Sequence, residues 1–237
     1  MPAPAKVCLC LTAGTIAGDL AAIQRHRAEV DCAELDADCL APEERAAAGH
    51  FPAMAGLPVT LAVRRQRDGG RWTGGERERA ALLTRLAGGP AGDGFASVEL
   101  EEDLDLRLPD VPVIRTLHDP RGVPDNLEQR LRGLARGRRE LPKAVVAVRG
   151  SADFTKLLGI FIRTRDVEKV LVGSGDAGFA VRVLASRLGS AVCYVSPSGT
   201  NDPGGPDPGT LRRVYRFPAI GPDTPVFGVI GDPVMHS

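Results

Sequence analysis

The chain reads as an α/β protein folded as a (β/α)8 TIM barrel, and three observations predict this. Short apolar runs, mostly of four to seven residues and bounded by Gly, Pro or Asp, alternate with helix-like stretches almost from end to end. The runs are apolar on both faces, as strands of a parallel sheet covered by helices must be. Eight of them fit into about 200 residues, which matches the repeat number and length of a barrel. A doubly wound open sheet is the competing arrangement.

The strands are expected at 6–11 (KVCLCL), 30–36 (VDCAELD), 58–64 (PVTLAVR), 95–100 (FASVEL), 112–118 (PVIRTLH), 143–148 (KAVVAV), 169–173 (KVLVG) and 191–196 (AVCYVS). In the first of these Cys8 and Cys10 alternate, so both point to one face. Helical periodicity is clearest at 76–87 (ERERAALLTRLA), 152–164 (ADFTKLLGIFIRT) and 178–188 (GFAVRVLASRL). Only the stretch between the fourth and fifth strands is too short for a convincing helix. After the seventh strand, Gly173, Gly175 and Gly178 spell a literal G-x-G-x-x-G. A dinucleotide site would need an acidic residue closing the next strand, and AVCYVS ends in serine instead. The glycines therefore read as a barrel turn that could cradle an anion. The last residues, 223–237, look like the first strand of a further domain behind a barrel spanning 1–222.

Thirty basic residues balance thirty acidic ones, and 43% of the chain is hydrophobic. No global field draws the protein to nucleic acid or to a membrane surface, while a local basic cluster could still hold a small acid. No apolar run approaches membrane-spanning length. Five cysteines, most of them in strand-like runs and none in a CxxC pair, read as small buried hydrophobes in a reducing, cytoplasmic compartment. No metal constellation is present.

Chemistry in a barrel gathers where strands end. The polar residues there are Glu34, Asp36, Arg64, His118, Asp119, Lys143 and Arg182. Lys143 opens an almost wholly apolar strand, so it is either an amine snorkelling to the sheet edge or a desolvated nucleophile. His118 closes the preceding strand and is either a hydrogen-bonded structural residue or an acid–base group. Strands lie about 4.8 Å apart, so the two can share one site, the pair needed to form an imine and then move a proton. Burial and repulsion from Arg64 or Arg182 are expected to lower the lysine pKa. Arginines at the rim would hold a carboxylate.

Six segments carry a resemblance: AELDAD (33–38), LAVRRQRDGG (61–70), RTLHD (115–119), ELPKAVV (140–146), GFAVR (178–182) and DPGGPDPGTLR (202–212). Their order and spacing resemble the type I 3-dehydroquinate dehydratases over about residues 5–215. The resemblance implies a cofactor-free hydro-lyase of the shikimate pathway that takes 3-dehydroquinate to 3-dehydroshikimate and leaves room for a homodimer. It implies Lys143 as the imine lysine, His118 as general base and acid, Glu34 and Arg64 at the substrate hydroxyls, and Arg182 at the carboxylate. Three positions depart from the pattern. Asp68 stands where a glutamate usually orients the histidine, Asp36 where an arginine is usual, and Gly205 where a loop glutamine is usual. The tail FGVIGDPVMHS resembles the opening of shikimate dehydrogenase. Two rival readings are a degenerate, non-catalytic barrel serving as metabolite binder or scaffold, and a lysine-dependent aldolase.

Overall fold

The structure is a computed structural model that describes residues 4–88, 94–197 and 205–228. Eight parallel strands form the wall of a barrel: β1 Lys6–Leu11, β2 Cys32–Asp36, β3 Val59–Ala62, β4 Ser97–Glu101, β5 Val113–Asp119, β6 Glu140–Ala147, β7 Val170–Ser174 and β8 Val192–Val195. Each strand from β2 to β6 pairs with its chain neighbours, and β1 pairs with both β2 and β8. An open doubly wound sheet would not join its first and last strands, so the competing architecture is ruled out. The remaining seam, between β7 and β8, is stitched at its base. There Ala191 N–H donates to Lys169 O at 2.7 Å, and Leu171 N–H to Ser190 Oγ at 3.2 Å.

Nine α-helices occur among the described residues: α1 Ile16–His26, α2 Pro42–Arg45, α3 Phe51–Ala55, α4 Glu76–Ala87, α5 Leu127–Leu134, α6 Ser151–Arg163, α7 Phe179–Val183, α8 Ala185–Leu188 and α9 Pro208–Arg213. The starts of α1 and α9 follow from local chemistry. Thr15 accepts from Gly18 N–H, and Asp207 accepts from Thr210 N–H with Pro208 in the first turn. As expected, no helix separates β4 from β5. The expected 178–188 helix is broken at Leu184 into α7 and α8. The strand expected at the tail is not found in residues 223–228, and 229–237 lie outside the described residues.

Strand alternation divides the apolar residues into layers. Leu9, Ala33, Leu35, Val59, Leu61 and Val98 face outward, packed under helices on one side of the barrel. Leu117, Ala144, Val146 and Leu171 do the same beneath α5 and α6. The interior is different. Cys8, Val170, Val172 and Tyr194 form an apolar floor with Cys10, Cys32, Leu141 and Val145. As expected, Cys8 and Cys10 share a face.

Candidate active site

Above that floor the barrel interior turns polar. A cavity of about 440 Å³ opens there, lined by Glu34 and Asp36 of β2, Arg64 just past β3, His118 of β5, Lys143 of β6, and Tyr194 and Ser196 at β8. Arg182 of α7 and Asp68 of the β3–α4 connection also line it.

Lys143 does not open its strand. The strand begins at Glu140, three residues earlier, which puts Lys143 inside the barrel with 2% of its surface exposed. Pro142 suggests a boundary but causes no break, because pairing with β7 starts only at Lys143↔Val170. The Nζ donates to Glu99 Oε2 at 2.5 Å and to Glu34 Oε2 at 3.1 Å, and lies 3.9 Å from the Tyr194 ring centroid. Burial alone would lower its pKa, as expected from the sequence. The Glu34 and Glu99 carboxylates outweigh burial and raise it instead. The snorkelling alternative is excluded by the same geometry.

Arg64 lines the cavity, as expected, and is also the hub of a carboxylate cluster. Its Nε donates to Glu99 Oε1 at 3.0 Å, its Nη1 to Asp36 Oδ2 at 2.8 Å, and its Nη2 to Glu34 Oε1. The backbone around it is pinned by Asp38, which accepts from Arg64 N–H at 2.8 Å and from Arg71 N–H at 2.7 Å. Gly70 permits this tight return of the chain, since a Cβ there would stand 2.3 Å from Arg64 O. Glu99, absent from the sequence reading, completes the cluster by accepting from both Arg64 and Lys143. Burial would raise its pKa, but Lys143 and Arg64 hold it well below the usual carboxylate range.

His118 stands two residues further along β5 than Thr116, the register partner of Lys143. Its Nε2 is 3.8 Å from Glu99 Oε1, beyond hydrogen-bond range, and its Nδ1 is buried without a partner. Burial pushes its pKa down to about 4, so the ring is neutral near pH 7. Asp68 does not reach it. The Asp68 Oδ2 instead accepts from Arg65 Nε at 2.5 Å.

Across the barrel, the glycine run after β7 sets Arg182. A Cβ on Gly178 would meet Gly173 C at 2.6 Å, and Gly175 sits at φ +85°. The glycines thus serve a close backbone crossing, and Arg182 Nε donates to Gly173 O at 3.0 Å from its far side. Gly205 is half-buried and lies beside Pro206, whose carbonyl accepts from Ser196 N–H at 3.2 Å. It is not among the residues lining the cavity.

The type I 3-dehydroquinase family model matches residues 7–222. The chain belongs to that family. Among curated relatives, it is 29% identical over 192 residues to the bifunctional 3-dehydroquinate dehydratase/shikimate dehydrogenase of Arabidopsis thaliana, covering 76% of this chain and 31% of the relative. It is 31% identical over 186 residues to the 3-dehydroquinate dehydratase of Pyrobaculum aerophilum, covering 75% and 60%. The chain thus matches about one third of the plant protein and three fifths of the archaeal one. The barrel superposes on the 3-dehydroquinate dehydratase of Geobacillus kaustophilus with a TM-score of 0.79 at 21% identity, covering 90% of each chain. For the Clostridium difficile enzyme the TM-score is 0.74 at 17% identity, with 90% and 92% covered. No described helix is long and apolar enough to cross a membrane.

Proposed function

We propose that the protein is a 3-dehydroquinate dehydratase that works through an imine on Lys143. The observation that carries this reading is Lys143 itself, a buried amine held between two carboxylates in a small-molecule cavity beside a neutral histidine. A raised lysine pKa is no obstacle when a proton acceptor is already in contact. Glu99 or Glu34 takes one proton from Nζ as the amine attacks the ketone carbon, and the carbinolamine then loses water to give the iminium. The Tyr194 ring face stabilises the cation that persists on nitrogen. Neutral His118 removes a proton from the carbon next to the iminium. The resulting enamine expels the hydroxyl two carbons from the original ketone, and His118 returns its proton to that leaving oxygen. Hydrolysis of the conjugated iminium releases the enone product and restores Lys143.

The cavity is polarised in a way that supports one orientation. The β2–β4 side is rich in carboxylate oxygens and suits ring hydroxyls, while Arg182 and Ser196 on the other side suit the substrate carboxylate. The same reading divides the chain at residue 222, where the family match ends, and takes 223–237 as the opening of a shikimate dehydrogenase-like segment. The two activities named for the Arabidopsis relative support that division. Five thiols, none in a disulfide, support a reducing, cytoplasmic setting. One observation favours the rival non-catalytic barrel: His118 Nδ1 has no orienting partner, because Asp68 is held by Arg65. Incubation with 3-dehydroquinate separates the two. Growth of the ultraviolet absorption of a conjugated enone is the expected result, and its absence would reject the dehydratase.

A further inference from the structure

Asp36 differs from the other two carboxylates of the cluster. Its Oδ2 accepts from Arg64 Nη1, but its Oδ1 is enclosed and has no hydrogen-bond partner. The side chain is 6% exposed and lines the cavity. Leaving a buried polar atom unpaired is costly, so such an atom in a cavity wall points to a ligand that completes it.

The charges around it decide which kind of bond it makes. Glu34, Asp36 and Glu99 surround two cations, Arg64 and Lys143, while His118 is neutral. With all three acids ionised, these five side chains would carry three negative charges against two positive ones, an imbalance that burial opposes. A single proton removes it. Glu34 and Glu99 each touch both cations, whereas Asp36 touches Arg64 alone. Burial pushes Asp36 well above the usual carboxylate range, and Glu34 from its own strand, Asp38 from the next turn and Glu99 from β4 add to this. Arg64, just past β3, opposes the shift. Burial and these neighbours favour a proton on Asp36, which has only one cation in contact. Oδ1 is the oxygen that would carry it, because Oδ2 already accepts from Arg64.

We propose that Asp36 is a specificity-determining residue whose protonated Oδ1 donates a hydrogen bond to a neutral oxygen, a hydroxyl or a carbonyl, of the bound ligand at the β2–β3 corner. This rests on the dehydratase reading and adds what that corner selects. An anionic substituent is repelled there by Glu34 and Glu99. An apolar one leaves the O–H unpaired. On a quinate-like ring, the hydroxyls at C4 and C5 are the candidate acceptors.

Quinate carries those hydroxyls but no ketone, so its binding can be measured without turnover. Calorimetric titration of quinate and of its 4-deoxy and 5-deoxy analogues into wild type, Asp36→Asn and Asp36→Leu tests the proposal. In Asp36→Asn the amide oxygen keeps the Arg64 bond and the NH2 replaces the O–H, so quinate affinity stays within about threefold of wild type. Asp36→Leu weakens quinate about tenfold or more, with no further loss for the one deoxy analogue that lacks the partner hydroxyl. Wild-type quinate affinity in Asp36→Leu overturns the proposal, as does an Asp36→Asn protein as weak as Asp36→Leu. Should Asp36→Leu not fold, the 13C resonance of the Asp36 carboxyl in labelled wild type decides, assigned by its loss in Asp36→Asn. It is expected at the protonated position at pH 7, and an ionised resonance there overturns the proposal. Turnover of 3-dehydroquinate by wild type is measured alongside. A protein that turns over but fails the Asp36 tests loses this inference alone, whereas one that neither turns over nor binds quinate loses the dehydratase reading as well.

Discussion

The barrel buries two lysines, and they show what burial does and does not decide. Lys143 lies in the upper interior between Glu34 and Glu99, and its pKa is raised. Lys169 lies at the base of β7, 1% exposed, with Nζ donating to the carbonyls of Thr164 at 2.7 Å and of Val167 and Gly189 at 3.4 Å. Burial pushes it down to about 8. Carbonyl dipoles satisfy the ammonium's hydrogen bonds without cancelling its charge, whereas carboxylates do both. By desolvation alone Lys169 would be the better nucleophile. Among the described residues its Nζ bonds only to backbone carbonyls, whereas Lys143 lines the cavity beside two carboxylates and His118, so the proposed imine falls to Lys143.

The sharpest way to break that comparison is to delete each amine in turn. Lys143→Ala is expected to lose all measurable dehydration while staying folded by circular dichroism. Lys169→Met strands three backbone acceptors, costs on the order of 1–3 kcal/mol in urea denaturation, and keeps near-normal turnover per folded molecule. Turnover surviving in the first variant, or vanishing in a folded second, would reverse the assignment.

Next in size is His118→Ala, where imine formation continues but turnover falls by about 10² or more, the usual weight of a positioned acid–base group. Steady-state kinetics alongside adduct formation measures both. Near-normal dehydration would make His118 structural.

The lysines also differ in how stability follows pH. Between about 8 and the ordinary lysine value of 10.5, unfolded Lys169 holds a proton that the folded protein has lost. Stability therefore rises with pH through this window. Lys143, with its pKa raised, keeps its proton across the window, and its contribution is lost only as pH climbs above the ordinary value. Urea melts at pH 8 and pH 10 should show wild type gaining on Lys169→Met, with no comparable gain on Lys143→Met. An equal response of both variants would place the charge differently.

The smallest effect concerns Asp68. Its carboxylate reaches Arg65, and a glutamate would extend about 1.5 Å further toward the unpartnered His118 Nδ1. Asp68→Glu is expected to raise kcat a few-fold with KM nearly unchanged. An unchanged or lower kcat would leave Asp68 as a turn residue that anchors Arg65.

Local pattern carried most of the fold. Alternating apolar runs placed all eight strands, most within one to three residues at either end, and α4 spans the expected 76–87. The shorter helices α2 and α3 have too few turns to show a period, and α5, an eight-residue helix with Leu127, Leu131 and Leu134 buried, shows little more. At the site, Lys143 and His118 were legible because a charge or an imidazole in an apolar strand stands out. Glu99 carries the same signal, a charge inside the apolar run FASVEL. What the sequence could not display was the meeting of Glu34, Asp36, Arg64 and Glu99, up to 65 positions apart, which exists only once the barrel closes. That meeting reverses the expected lysine shift and makes Arg64 the hub of a carboxylate cluster in the cavity wall.

The central claim is that Lys143, of the four lysines at 6, 143, 156 and 169, forms the imine. Reduction with borohydride in the presence of 3-dehydroquinate, followed by intact-mass and peptide mass spectrometry, tests it directly. One adduct per chain is expected, mapped to the β6 peptide at Lys143 and absent from Lys143→Ala. An adduct on Lys169 or any other lysine, or none from protein that is turning substrate over, would contradict that claim.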